Sequence, residues 1–161
     1  MNQTESMILQ NLPYPQQFSS SVQQNLGVKT YEQLVLAKSS PANSDNSLIT
    51  LKDNVITIPQ NAYSVVCIKA SLIFTTPVDT ATQVFLKVYE HANGDTDQSK
   101  ATQIAISGVT AHGGQTMLNY ESLASVSTST SGYSLAVYAE KDNCSLYAGR
   151  SIIVITPFAH L

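Results

Sequence analysis

The chain has 161 residues, 43% of them hydrophobic and 12% charged, with a formal net charge of −3. That hydrophobic share supports a core and excludes wholesale disorder, while charge at about half the usual level leaves hydroxyls and amides to hydrate the surface. Arg150 is the only arginine and there is no basic stripe or tail, which argues against nucleic-acid binding and genome packaging, and no apolar run is long enough for a transmembrane helix.

Residues 1–45 form the first compositional unit. Gln3, Gln10, Asn11, Gln16, Gln17, Gln23, Gln24, Asn25 and Gln33 alternate with Pro13, Pro15 and the serines 19–21. Prolines so placed favour extended backbone. Only 31–38 (YEQLVLAK) is apolar enough for a short strand or one helical turn, and 39–46 (SSPANSDN) reads as a linker. The start, Met1-Asn2-Gln3-Thr4-Glu5, lacks the cationic and apolar regions of a signal peptide. The expectation is synthesis in a cytoplasm and release through assembly and lysis. So polar an arm buries too little to fold alone, so it is expected to order itself against another subunit or a scaffold.

Residues 46–161 change to short strands divided by turn chemistry. Runs at 48–51 (LITL) and 55–58 (VITI) flank Lys52-Asp53-Asn54, a hairpin loop. In 63–74 (YSVVCIKASLIF), Val66, Ile68, Ala70, Leu72 and Phe74 alternate onto one face. After the break at 75–79 (TTPVD), Val84, Leu86 and Val88 in 83–90 oppose Phe85, Lys87 and Tyr89. A long polar turn, 91–100, precedes a short strand at 103–107; Ala111-His112-Gly113-Gly114 reads as a turn and 115–124 is ambiguous. Low-complexity 125–132 (SVSTSTSG) reads as a loop. Tyr133, Leu135, Val137 and Ala139 then alternate, and Lys141-Asp142-Asn143 turns into 144–148. The continuous apolar run 151–158 (SIIVITPF) predicts a strand buried on both faces, either by a covering loop or by a second subunit. Seven to nine strands predict an all-β, antiparallel jelly-roll sandwich with an extended N-terminal arm.

The residues 47–59 (SLITLKDNVITIP), the strand up to Phe74 and the closing 146–155 (LYAGRSIIVI) resemble the compact trimeric jelly rolls of the tumour-necrosis-factor-like kind. The resemblance spans about 48–158 and is nearest in kind to bacteriophage head-decoration, head-fibre and tail-tip proteins. It rests on pattern, an aromatic–small–Gly step before a last apolar strand, and departs in lacking an aromatic cluster near the end. It implies a homotrimer projecting from a particle, attached through residues 1–45.

Chemistry is sparse. His91, His112 and His160 are scattered, without the nucleophile context of a hydrolase or the His-x-His core of a cupin. Glu90 with Glu121 or Glu140 are the only carboxylate pairs to consider for glycoside cleavage, and all sit at strand ends. Asn93, Asp95 and Asp97 have the alternating oxygen spacing of half a calcium loop, without its distal Glu; an exposed polar turn has the same composition. Tyr63, Tyr89, Tyr120, Tyr133, Tyr138 and Tyr147 could serve a sugar surface, yet suit strand packing too. Cys67 and Cys144 are too few for a disulfide framework or zinc site and read as small core residues, their pairing left open. The expectation is therefore no enzyme and no cofactor, but a virion structural protein on the capsid surface. Its partners would be itself, as a homotrimer, and the major capsid protein or other virion proteins. The alternative is a receptor- or glycan-binding tip whose partner is a host surface glycan.

Overall fold

The computed structural model describes residues 15–26, 31–39, 49–58, 63–92, 95–126, 131–141 and 143–159. Among them run eleven strands: β1 (Gln16–Ser20), β2 (Gln24–Leu26), β3 (Glu32–Gln33), β4 (Leu36–Ser39), β5 (Thr50–Lys52), β6 (Val55–Ile58), β7 (Tyr63–Ala92), β8 (Thr102–Ser125), β9 (Ser131–Ala139), β10 (Cys144–Leu146) and β11 (Ile152–Ala159).

Two very long strands organise the molecule. β7 and β8 pair along their length, but the register slips between Thr76 and Ala81, where four residues of β7 face Gly113 alone. Asp79 (φ 67°), Gly113 (φ 37°) and Gly114 (φ 106°) take left-handed backbone there, which suits glycine and is tolerated by aspartate. An insertion of this kind bends a paired ribbon without breaking it. Each long strand thus serves two layers. In the front layer the order is β4-β1-β11, then 65–76 of β7, then 114–125 of β8. In the back layer it is β5-β6-β9, then 84–92 of β7, then 102–112 of β8. This is an antiparallel jelly-roll sandwich.

The core follows from the period-2 pattern. Val66, Ile68, Ala70, Leu72 and Phe74 on the front half of β7, and Val84, Leu86 and Val88 on its back half, are all fully buried. Tyr133, Leu135, Val137 and Ala139 of β9 meet them, as do Ile153 and Ile155 of β11. The 52–54 hairpin forms as expected, with Asp53 (φ 49°) and Asn54 (φ 64°) as a two-residue turn of the primed kind.

Four expectations need correction. Residues 75–79 do not end a strand, and 111–114 is not a turn, because β7 bulges here while the glycines of β8 opposite it supply the left-handed backbone. β11 is not buried on both faces in the single chain. Ile153 and Ile155 are inside, Ile152, Val154 and Thr156 are half-covered, and Phe158 is exposed. Cys144 is a core residue but Cys67 lies half-covered on the outer face of the front layer, and both are free thiols.

The boundary at 45/46 is the fourth. Within 1–45, segments 15–26 and 31–39 are strands of the sandwich itself: β1 pairs β11 and β4, β2 pairs β10, and β3 pairs β9. Phe18 and Leu34 are fully buried there, and Leu26 and Leu36 nearly so. Amides hold these segments where apolar side chains are too few. Gln24 Oε1 accepts from Val35 N (3.1 Å), and its Nε2 donates to Gln33 O (3.0 Å) and Glu32 Oε1 (3.1 Å). Ser20 Oγ donates to Tyr147 O (3.0 Å), and Asn54 Oδ1 accepts from Leu36 N (3.1 Å). The remainder of the expected arm and linker, 1–14, 27–30 and 40–46, lies outside the described residues.

Candidate functional site

β8 is the last strand of both layers, and its only strand partner among the described residues is β7. Over 24 residues it carries no Lys, Arg or Pro, and Glu121 is its one acidic residue. The opposite edges are short, with Lys52 ending β5 and Lys38 within β4. Short, lysine-bearing edges resist strand addition, whereas a long neutral one invites contact.

Four of the large hydrophobics most open to solvent lie on β8: Leu123 (69% exposed), Ile106 (54%), Met117 (51%) and Ile104 (39%). Even its core-facing residues are only half-buried, apart from Ala111 and Leu118. The register extends this apolar character across the outer face of the front layer. Leu123 lies opposite Cys67, which lies opposite Thr156; Met117 lies opposite Ile73; Phe158 (48% exposed) lies opposite Val65. Lys69 and Glu121 oppose one another near its middle, with Val154 on the far side of Lys69. The Cys67 thiol is pushed up by burial and by the Glu121 carboxylate, 3.8 Å from its Sγ. It is therefore a thiol, not a thiolate nucleophile.

The back layer presents aromatic rings outward. Tyr138 stacks on Phe85 (centroids 5.1 Å apart) and meets the edge of Tyr31 (4.4 Å), whose other contact is Lys87 Nζ, 4.1 Å from its centroid. Loss of water and the neighbouring Tyr138 push the Tyr31 phenol up to about 12. Of the tyrosines considered for sugar, Tyr133 alone is fully buried among those whose side chains are described. Tyr89, Tyr120 and Tyr138 are half-covered and Tyr147 is exposed beneath Arg150. Packing thus claims fewer of them than strand propensity suggests.

The other sequence candidates do not converge. Glu90 and Glu140 flank opposite ends of the β7–β9 pairing, with Glu140 N bonded to Gln83 O. Seven residues of strand separate those positions, roughly 23 Å at ~3.3 Å per residue, and Glu121 sits in the other layer. His112 is exposed on β8 beside Gly113, and His160 lies outside the described residues. Asp95 Oδ1 accepts from Asp97 N (2.9 Å), and its Oδ2 faces Lys100 Nζ (3.8 Å). Asp97 Oδ1 accepts from both Ser99 N (3.0 Å) and Ser99 Oγ (2.7 Å), capping the 3-10 turn Gln98–Lys100. These carboxylates close their own loop, and Asn93 lies outside the described residues.

His91 is different, being buried to within 1% together with Ser134 at 0%. Its Nε2 is 2.7 Å from Ser134 Oγ, and that hydroxyl donates to Gln98 Oε1 (2.9 Å). Ser134 has one proton to give, so it accepts from His91 Nε2–H, which leaves Nδ1 as the bare nitrogen. Nothing meets Nδ1 in hydrogen-bonding geometry. Nothing in the chain order marks this cluster, because its parts come from residues 91, 98 and 134.

No family model matches the sequence, and no curated protein matches it either. Among solved structures the chain is similar to the Eiger TNF of S. frugiperda, with a TM-score of 0.63 over 92% of this chain and 95% of that one, at 11% identity. At that identity the likeness is one of fold, and the fold is a tumour-necrosis-factor-like jelly roll.

Proposed function

We propose that the protein is a non-catalytic display component of a virion surface, a capsid-decoration or head-fibre protein, and that it works as a homotrimer. The observation that carries the self-association is the β8 edge, unpaired among the described residues and continuous with the apolar outer face of β7 and β11. In a closed ring each copy lays its β8 edge on the front face of the next, so that one heterologous contact repeats until the ring closes. The same contact covers Leu123, Met117 and Phe158, which a lone chain leaves wet. The low charge and hydroxyl-rich composition fit a particle surface, and the scattered histidines and carboxylates fit the lack of catalysis. Attachment cannot be assigned to residues 16–26 or 31–39, which are committed to the sandwich.

Two measurements test this. Leu123→Lys places a charge in the proposed contact and is expected to shift the protein to single chains in sedimentation while its circular dichroism is unchanged; an undisturbed oligomer would count against the contact. Mass spectrometry of purified particles is expected to find the chain in multiples of three, and its absence from them would end the virion assignment. The receptor- or glycan-binding alternative has one observation in its favour, the outward Tyr31–Tyr138–Phe85 group beside Lys87. A glycan array with no signal that Tyr138→Ala abolishes would dispose of it.

A further inference from the structure

The segment 95–100 lies over the outer side of β9 without being part of either layer, and its attachment is polar. Parity along the β7–β9 ladder puts His91 on the outward side with Tyr89 and Lys87, opposite Gly132. There it would be wet but for this segment. Gln98 reaches down to Ser134, and Ser134 to His91, so a three-membered hydrogen-bonded chain pins the segment to the sheet.

We propose that Asp95–Lys100 is a pH-operated strap, latched while His91 is neutral and released when Nδ1 takes up a proton. The added N–H would be buried, near the Asp95 backbone but with no acceptor in hydrogen-bonding geometry to receive it. The groups around the ring are few. On β7 Glu90 precedes it, its carboxylate close enough to act on Tyr133; on β9 it meets Ser134, with Tyr133 alongside. From the strap come Asp95, Asp97 and Lys100, and from the β5–β6 turn comes Asp53, bonded to Thr96. Loss of water is the largest influence and holds the imidazole below its ordinary value of 6.5; against it act the Asp95 backbone, then the Asp95 and Asp97 carboxylates. Their oxygens already hold Asp97 N, Ser99 and Lys100. Satisfying a charged His91 therefore requires water to enter, the Asp95 backbone to shift onto the ring, or a carboxylate to leave its loop bonds. Each of these disturbs the strap.

The sign follows from linkage. A histidine whose closed-state value is depressed costs nothing above about 6.5, and the closed form is lost progressively as pH falls below it. The test is amide hydrogen exchange on the full chain between pH 8 and 5, corrected for intrinsic pH dependence, with the His91 ring followed by nitrogen NMR. The amides of Asp95, Asp97, Ser99, Lys100 and Ala101 all donate hydrogen bonds within the strap or at its root, and these report its order. Their exchange is expected to rise about tenfold per pH unit from 6.5 down to the His91 midpoint, while β7 and β9 stay protected. His91→Gln, which keeps an N–H for Ser134 but does not titrate, should make exchange flat with pH. If that variant does not fold, Ser134→Ala should give fast exchange at both pH values. Equal protection of the wild type at pH 8 and 5, tighter protection in acid, or a pH response that survives His91→Gln would overturn the strap.

Discussion

At the scale of single residues, two positions near the back layer are diagnostic. A Cβ on Gly132 would lie 2.6 Å from Val55 Cγ1, a fully buried side chain with nowhere to go, whereas on Gly108 it would lie 2.9 Å from the half-covered Phe85 ring. Gly132→Ala is expected to cost about 1–3 kcal/mol, read as a lowered Tm, and Gly108→Ala distinctly less because Phe85 can swing outward. Tyr133 is the second. Burial and the nearby Glu90 push its phenol up to about 12, and its OH donates to Ser125 O (3.0 Å). A raised value means full stability below about pH 10 and loss as pH climbs from 10 to 12. Thermal melts across that range should show the loss, and Tyr133→Phe should remove it while costing about 1 kcal/mol at neutral pH through the missing bond. Tyr31 has a similar value but is far less covered, so its share is small. Tyr133 was readable as core from strict alternation at 133–139, but the His91–Ser134–Gln98 chain was not. Ser134 lies 36 residues beyond Gln98, and a polar turn looks the same whether or not it folds back on a sheet.

At the scale of elements, the first strands decide between an arm and a body. Phe18 is fully buried between β11 and β4 neighbours. Phe18→Ala is expected to cost about 3–5 kcal/mol in chemical denaturation; a cost near zero would mean that β1 is an appendage. Apart from β8, the strands of 46–161 were legible because they bury one face and alternate. β1 and β2 were not, because Gln16, Ser20 and Gln24 occupy inward positions where a periodicity argument requires apolar residues. Their side chains bond backbone and neighbours, a form of cohesion that composition does not reveal. β8 was misread for a related reason. Its glycines mark a change of layer, and its edge position leaves alternation too weak to separate strand from turn.

At the scale of the whole molecule, the jelly roll was legible and the openness of its β8 side was only hinted at. The apolar run 151–158 predicted two buried faces, and in one chain half of that burial is missing. The exposed side of β11, the matching residues of β7 and the edge of β8, unpaired among the described residues, form a single continuous surface, which the proposed contact with a second copy would cover. Sedimentation equilibrium of the purified full chain at micromolar concentration puts this most directly to the test. The account predicts a mass about three times that of one chain, stable on dilution. A single-chain mass, with Leu123 and Met117 of β8 still open to solvent, would contradict it.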